Sequence, residues 1–310
     1  MKAIRVHQYG LPHQLVYEDA PDPLPGPGEV LVEVAAAGVN PADYKFRNGS
    51  LAEAAPLAMP FVPGMDIVGT IVATGDGVAR WQVGDRVLAM LYLMGNGGYA
   101  ERVCVPAEWC AHLPSGLDDR LAATLPTPAT TSVEWIEDDL KVKSGDRVLI
   151  TGATGAVGRI ACYVAKSHGA HVTAAVRAAR VVDVRHADAT LVLDGPASPI
   201  GPFDFIADTV GGSLAESLLR LLKPGGTLST IGTDPVGNPQ AHDVHIRRFA
   251  CFCDAERLER ITRAAARGEL ELQVPQLMPL SQAARSHELL ERGGAGKMVL
   301  VPDAKWSAAS

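Results

Sequence analysis

The sequence predicts an α/β plus β protein in two parts, an all-β barrel-like or sandwich-like unit followed by a doubly wound parallel sheet buried on both faces. Three observations predict it. Up to about Leu125 the apolar runs are short, Val-rich and punctuated by Gly and Pro. Beyond Pro128, apolar strand patterns alternate with helical ones. Between the first such strand and the first such helix stands a glycine-rich string.

In the first part, strands are expected at 29–35, 66–73, 85–90 and 101–105, bounded by turn residues such as Pro25-Gly26-Pro27-Gly28, Gly75-Asp76-Gly77 and Gly84-Asp85. A longer helical pattern covers 121–140. Residues 147–151 form an uninterrupted apolar strand, which leads through the glycine string into a helix over 159–168 closed by Gly169. Strands follow at 171–176, 189–193, 203–207 and 226–231, with a helix over 213–222 between the last two and an amphipathic helix over 255–267. The tail returns to the first rhythm, with a helix over 281–292 and a strand over 297–301 that pairs back with the N-terminal part.

With 310 residues, of which 47% are hydrophobic and 20% charged, the chain is long enough for two ordinary cores. Lys plus Arg (28) against Asp plus Glu (35) gives −7, with no basic block to follow a phosphate backbone or an anionic bilayer. Nucleic acid and membrane are therefore not expected partners. The stretch Met1-Lys2-Ala3-Ile4-Arg5-Val6 lacks the long apolar run of a signal peptide, and no window reaches the ~18 apolar residues of a membrane span, so a cytoplasmic protein is expected. The five scattered cysteines read as reduced thiols packed as small apolar groups.

The sharpest signal is Thr151-Gly152-Ala153-Thr154-Gly155-Ala156-Val157-Gly158, placed between a buried strand and a helix start. A dinucleotide loop needs residues without bulk there, so that backbone amides at the helix N-terminus can approach a pyrophosphate. Cofactor choice is read at the end of the second strand, where an acidic side chain grips a ribose 2′-hydroxyl and a cation accepts a 2′-phosphate. This chain places Arg177 there with Arg180 one turn on, and no Asp or Glu occurs between Gly158 and Asp183, which favours NADPH. The bland alternative is that both arginines are solvated surface charges.

These residues, together with Ala37-Gly38-Val39-Asn40-Pro41-Ala42-Asp43-Tyr44-Lys45, Pro63-Gly64-Met65-Asp66-Ile67-Val68-Gly69, Val83-Gly84-Asp85-Arg86-Val87, Asp208-Thr209-Val210-Gly211-Gly212 and Gly296-Lys297-Met298-Val299-Leu300, resemble the zinc-independent quinone oxidoreductase and enone reductase branch of the medium-chain dehydrogenase/reductase superfamily. The resemblance runs nearly end to end. It implies a GroES-like β-barrel catalytic domain over 1–120, completed by 276–310, and a Rossmann dinucleotide-binding domain over 121–275. It further implies NADPH-dependent reduction of a small quinone or α,β-unsaturated carbonyl. The zinc-dependent relatives carry a Cys and a His near the motifs at Gly38 and Gly64; here there is neither, nor any Cys-x-x-Cys cluster, so no metal is expected and the substrate is to be polarised by hydrogen bonds.

By resemblance, Asn40 lies beside the nicotinamide and its ribose, Thr131 holds the carboxamide, Ile231 and Gly232 belong to the cofactor site, and Lys297 reaches the cofactor edge. Tyr44 and Lys45 follow Asn40 on one short segment, and either is expected to donate a hydrogen bond or proton to the acceptor oxygen. A packed aromatic with a wet hydroxyl is the alternative for Tyr44, and a surface lysine for Lys297. A homodimer is expected from the resemblance and from the apolar strand 226–231, placed at the open edge of the sheet. Two other readings compete. Short-chain dehydrogenases share the glycine string but carry it at the N-terminus with a downstream Tyr-x-x-x-Lys, and no Tyr follows Tyr163 here. A non-catalytic NADPH-binding structural or redox-sensing protein of the same fold is the other.

Overall fold

The computed structural model describes residues 1–92, 96–180, 184–195, 200–237, 243–293 and 296–306, the side chain of Arg180 excepted. In chain order the strands and helices are β1 (Lys2–Val6), β2 (Leu15–Asp19), β3 (Glu29–Val39), α1 (Pro41–Arg47), β4 (Asp66–Thr74), β5 (Arg86–Met90), β6 (Arg102–Pro106), β7 (Cys110–His112), α2 (Asp119–Ala122) and α3 (Pro126–Glu134). There follow β8 (Arg147–Thr151), α4 (Ala156–Ser167), β9 (His171–Val176), β10 (Ala189–Val192), β11 (Phe203–Asp208), α5 (Gly212–Leu218), β12 (Leu222–Thr230), β13 (His245–Arg248), α6 (Ala255–Ala266), β14 (Gln276–Pro279), α7 (Ala283–Arg292), β15 (Met298–Val301) and α8 (Asp303–Trp306). They fall into two compact units, Met1–Thr127 with Cys253–Ser310, and Pro128–Phe252.

The first unit is built around β3, which pairs antiparallel with β4, β6 and β15. The sheet runs β14-β15-β3-β4-β5-β7, so the chain's tail supplies two strands of a sheet that its beginning starts. Val30, Val32, Val34, Ile67, Ile71, Val87, Met298 and Leu300 form its core. They come from alternate positions of β3, β4, β5 and β15, the period of two by which a strand sends successive side chains to opposite faces.

The second unit is a six-stranded sheet in the order β10-β9-β8-β11-β12-β13 with every pairing parallel. Renumbered from β8 this is the doubly wound Rossmann order 3-2-1-4-5-6. Leu149, Phe203, Ile206, Leu218 and Leu228 pack its core. Strand β13 replaces 226–231 at the edge: β12 lies inside, with Thr227 to Thr230 paired to His245 to Arg248. The sequence missed β13 because His-Ile-Arg-Arg is short and mostly polar, as an exposed edge strand tends to be.

The single helix expected over 121–140 is broken into three pieces. Asp118 caps α2 by accepting from the amides of Arg120 at 2.9 Å and Leu121 at 3.3 Å. Pro126 then begins α3, and Trp135–Asp139 forms a π turn, in which the Leu140 amide reaches back to the Trp135 carbonyl at 3.0 Å. The turn places the buried Trp135 indole N–H on Ser229 Oγ at 2.7 Å, a tertiary contact that periodicity cannot register. All five cysteines are free thiols. Burial pushes Cys104 up to about 11 and Cys110 and Cys162 up to about 12. No described helix is long and apolar enough to cross a membrane.

Candidate functional site

Two clusters of buried polar groups gather the motif residues, one in each unit. In the first unit, antiparallel pairing sets Met298 opposite Val39 and Gly38 opposite Asp66, so the ends of three neighbouring strands bring Lys297, Asn40 and Asp66 together. Asn40 then caps α1. Its backbone N–H donates to Asp43 Oδ2 at 2.7 Å, the Asn-x-x-Asp spacing placing an acceptor at the third helical residue. Its side chain is bonded at both ends: Nδ2 donates to Asp66 Oδ2 at 2.8 Å, and Oδ1 accepts from Lys297 Nζ at 2.6 Å. Asp66 Oδ1 in turn accepts from the Thr127 amide at 2.8 Å and hydroxyl at 2.5 Å. Asn40 and Lys297 are 4% and 8% exposed, and Asp43 and Asp66 not at all.

Asp43 continues the network inward. It accepts from the Met65 amide at 3.1 Å and from the Tyr99 hydroxyl at 3.0 Å, and Tyr99 lies 3.4 Å from Nε2 of the buried His287, the rings meeting edge-on. The Asp43 carboxyl is raised to about 7, by burial above all and by the neighbouring Asp66. The hydrogen bonds from Asn40 and Tyr99, and the Lys297 charge, pull the other way. Burial and the Arg47 charge hold His287 down to about 3, so its imidazole is neutral at ordinary pH. Lys297 is lowered by burial, against Asp66 and Asp43.

In the second unit the glycine loop stands where β8 turns into α4, at the carboxyl ends of the strands where the chain order reverses. Gly152 has φ +60°, and a Cβ there would lie 2.2 Å from Thr209 Oγ1. A Cβ on Gly158 would lie 2.3 Å from the Gly152 carbonyl oxygen, so α4 can start this close to β8 only without a side chain. Gly155 is the N-cap of α4. Beside the loop, the fully buried Asp208 at the end of β11 collects the hydroxyls of Thr151 at 2.8 Å and Thr230 at 2.7 Å. It also takes the amides of Val210 at 3.2 Å and Gly211 at 2.6 Å. The Thr209 amide returns to Thr151 Oγ1 at 2.8 Å.

Tyr44 and Lys45 are half-buried on α1, a helix too short for the sequence pattern to assign. Thr131, on α3, is buried with its hydroxyl 3.1 Å from Cys251 Sγ. Arg177 follows β9 and is exposed; Arg180 ends a short 3-10 turn, and its side chain lies outside the described residues. Ile231 and Gly232 follow β12, where the Gly232 amide donates to Thr230 Oγ1 at 2.9 Å. The groups missed are Asp43, Asp66, Tyr99, His287 and Asp208. Asp66 and Asp208 stood inside quoted motifs, and Asp43 had the capping spacing. Tyr99 and His287 carried no local signal.

Two domain families match the chain, the alcohol dehydrogenase GroES-like domain over residues 26–115 and the zinc-binding dehydrogenase domain over residues 176–300. The quinone oxidoreductase of Sus scrofa is 30% identical, over 97% of this chain and 98% of its own length. The structure of the quinone oxidoreductase from Coxiella burnetii is similar with a TM-score of 0.87 at 27% identity, covering 97% of this chain and 99% of that one. A mycobacterial protein solved in complex with NADPH gives a TM-score of 0.83 at 29% identity, covering 97% and 100%.

The raised carboxyl of Asp43 has a measurable consequence. Its folded-state value lies at about 7 against an ordinary 3.8, so the folded chain retains a proton that the unfolded chain gives up between those values. The associated stability is full below pH 3.8 and is lost as pH rises through about 7. Asp43→Asn removes this titration. In urea unfolding, the stability of the wild type relative to Asp43→Asn is expected to decline across that window, and a difference that is flat with pH would refute the assignment.

Proposed function

The chain belongs to the quinone oxidoreductase branch of the medium-chain dehydrogenase/reductase superfamily, a family of oxidoreductases, and from that premise we propose that it reduces a small quinone or α,β-unsaturated carbonyl compound with NADPH and without zinc. The observation that carries the reading is the glycine loop 152–158 at the reversal point of the parallel sheet. A side chain at Gly152 or Gly158 would fill the cradle, and the start of α4 turns amides toward an anion there. Gly152 to Gly158 would hold the pyrophosphate of the cofactor, Arg177 and Arg180 its 2′-phosphate, and Thr131, Asn40, Ile231 and Gly232 its nicotinamide end. When bound, the reduced nicotinamide supplies the hydride. The protein's own task is then to hold the acceptor and stabilise the negative charge that builds on its oxygen, which falls to Tyr44 or Lys45.

The zinc-free part of the reading is supported by the motifs at Gly38 and Gly64, which hold neither a Cys nor a His and instead bring Asn40 and Asp66 together. Asn40 and Asp66 are engaged with each other, and a cation placed between them would face the Lys297 ammonium. Among the described residues no group of three or more His, Cys, Asp and Glu side chains is arranged to hold a metal.

Steady oxidation of NADPH by 1,4-benzoquinone or an alkenal, unaffected by a chelator, is the expected result; NADPH binding without turnover would instead favour the non-catalytic reading. Arg177→Ala is expected to cost about 1–3 kcal/mol in NADPH affinity and to leave NADH nearly untouched. Equal losses for both would remove the 2′-phosphate assignment.

Tyr44→Phe and Lys45→Ala are expected to lower kcat for enone reduction by about tenfold or more, with a smaller effect on quinones, which need less assistance at oxygen. Wild-type enone turnover in both variants would place the donor elsewhere. A homodimer is also proposed, with β13 as the edge strand. Light scattering should then give about twice the 32.6 kDa chain mass, and a monomer mass at micromolar concentration would contradict it.

A further inference from the structure

Lys297 was expected to reach the cofactor edge, yet its ammonium is buried and directed at two protein oxygens, Asn40 Oδ1 at 2.6 Å and Asp66 Oδ2 at 3.5 Å. A carboxamide is nearly symmetric in shape but not in chemistry, so its orientation is set by its partners. Here one partner can only donate and the other, as a carboxylate, can only accept. Turning the Asn40 amide over would press its NH2 against an ammonium and its carbonyl against a carboxylate, both out of water, where unpaired polar contacts are costly. The arrangement is anchored from both sides. Lys297 precedes β15 and stands across from Asn40 by the pairing of Met298 with Val39, while Thr127 holds the other oxygen of Asp66. With Oδ1 and one Nδ2 hydrogen engaged, the second Nδ2 hydrogen is the donor left to Asn40 among the described contacts.

We propose that Lys297 is a positioning residue, which with Asp66 fixes the orientation of the Asn40 carboxamide and so the direction of its remaining N–H, and which does not itself contact cofactor or substrate. The inference rests on the reading that Asn40 faces the nicotinamide. It assigns Lys297 to the hydride-transfer step through Asn40, so the two residues act as one unit and their effects are not additive.

The test is a double-substitution cycle of Asn40→Ala and Lys297→Met, with each protein checked for a cooperative thermal transition. NADPH Kd is read by fluorescence titration, and kcat and KM with 1,4-benzoquinone. Lys297→Met is expected to lower kcat by roughly tenfold to a hundredfold, the cost of a misdirected contact, with a smaller change in KM and NADPH Kd. In the Asn40→Ala background the same substitution should change kcat and Kd by less than about twofold. Lys297→Gln, which keeps a neutral donor for Asn40 Oδ1, should recover part of the loss, and it runs the same cycle if the Met variant does not fold. Losses that multiply in the double variant would overturn the proposal, because Lys297 would then act independently of Asn40. So would a wild-type kcat in folded Lys297→Met. If Asn40→Ala itself is indistinguishable from wild type, the placement of Asn40 at the nicotinamide fails first, and that result is separable from additivity.

Discussion

An ammonium taken out of water must be met by oxygen atoms, and in this protein that requirement fixes the geometry of the first unit. Lys297 meets Asn40 and Asp66, which sit at the ends of three adjacent strands. Removing one partner from a buried ionic group costs several kcal/mol, so the pairings of β15 with β3 and of β3 with β4 are bound to one another. A slip of one residue in either would turn the polar side chain to the opposite face and strand the charge. Asp66 answers to Thr127, Asn40 to Asp43, and Asp43 to Met65 and Tyr99. The start of α1, and with it Tyr44 and Lys45, is therefore held by the same contacts that neutralise the lysine.

The second unit solves a similar problem by other means. Asp208 is as deeply buried as Asp66, but it is surrounded by hydroxyls and backbone amides from the ends of β8, β11 and β12. A carboxylate satisfied by several neutral donors needs no counter-ion nearby. The turn after β11 is tied to Thr151, the last residue before the glycine loop, and the loop is shaped from outside while its own residues stay small.

Much of the fold was legible because its signals are local. Strand periodicity, Pro and Gly punctuation and the glycine string at Gly152 each depend on residues a few positions apart, and the parallel sheet followed from their alternation. What failed was tertiary. Strand β13 is polar because it is an edge, and residues 121–140 break once before Pro126 and again at the π turn that carries Trp135 to Ser229, a residue 94 positions away. The site divided along the same line. Asn40 and Gly152 stand in motifs and Arg177 at the end of a predicted strand, while Asp66 stands in a motif whose sequence signal is a missing histidine. Tyr99 and His287, separated by 188 residues, meet only in the folded chain. Lys297 was noticed by resemblance, but its direction depends on strand register, which no motif records.

The thiols described with the fold also bear on how the chain withstands electrophilic small molecules. Quinones and enones are electrophiles that add to thiolates, and a thiol is dangerous to its protein in proportion to the fraction ionised. With Cys110 and Cys162 pushed up to about 12, and Cys104 to about 11, these sulfurs stay protonated at neutral pH. Burial that serves packing thus also makes them poor targets for alkylation, a passive form of self-protection that requires no dedicated residue.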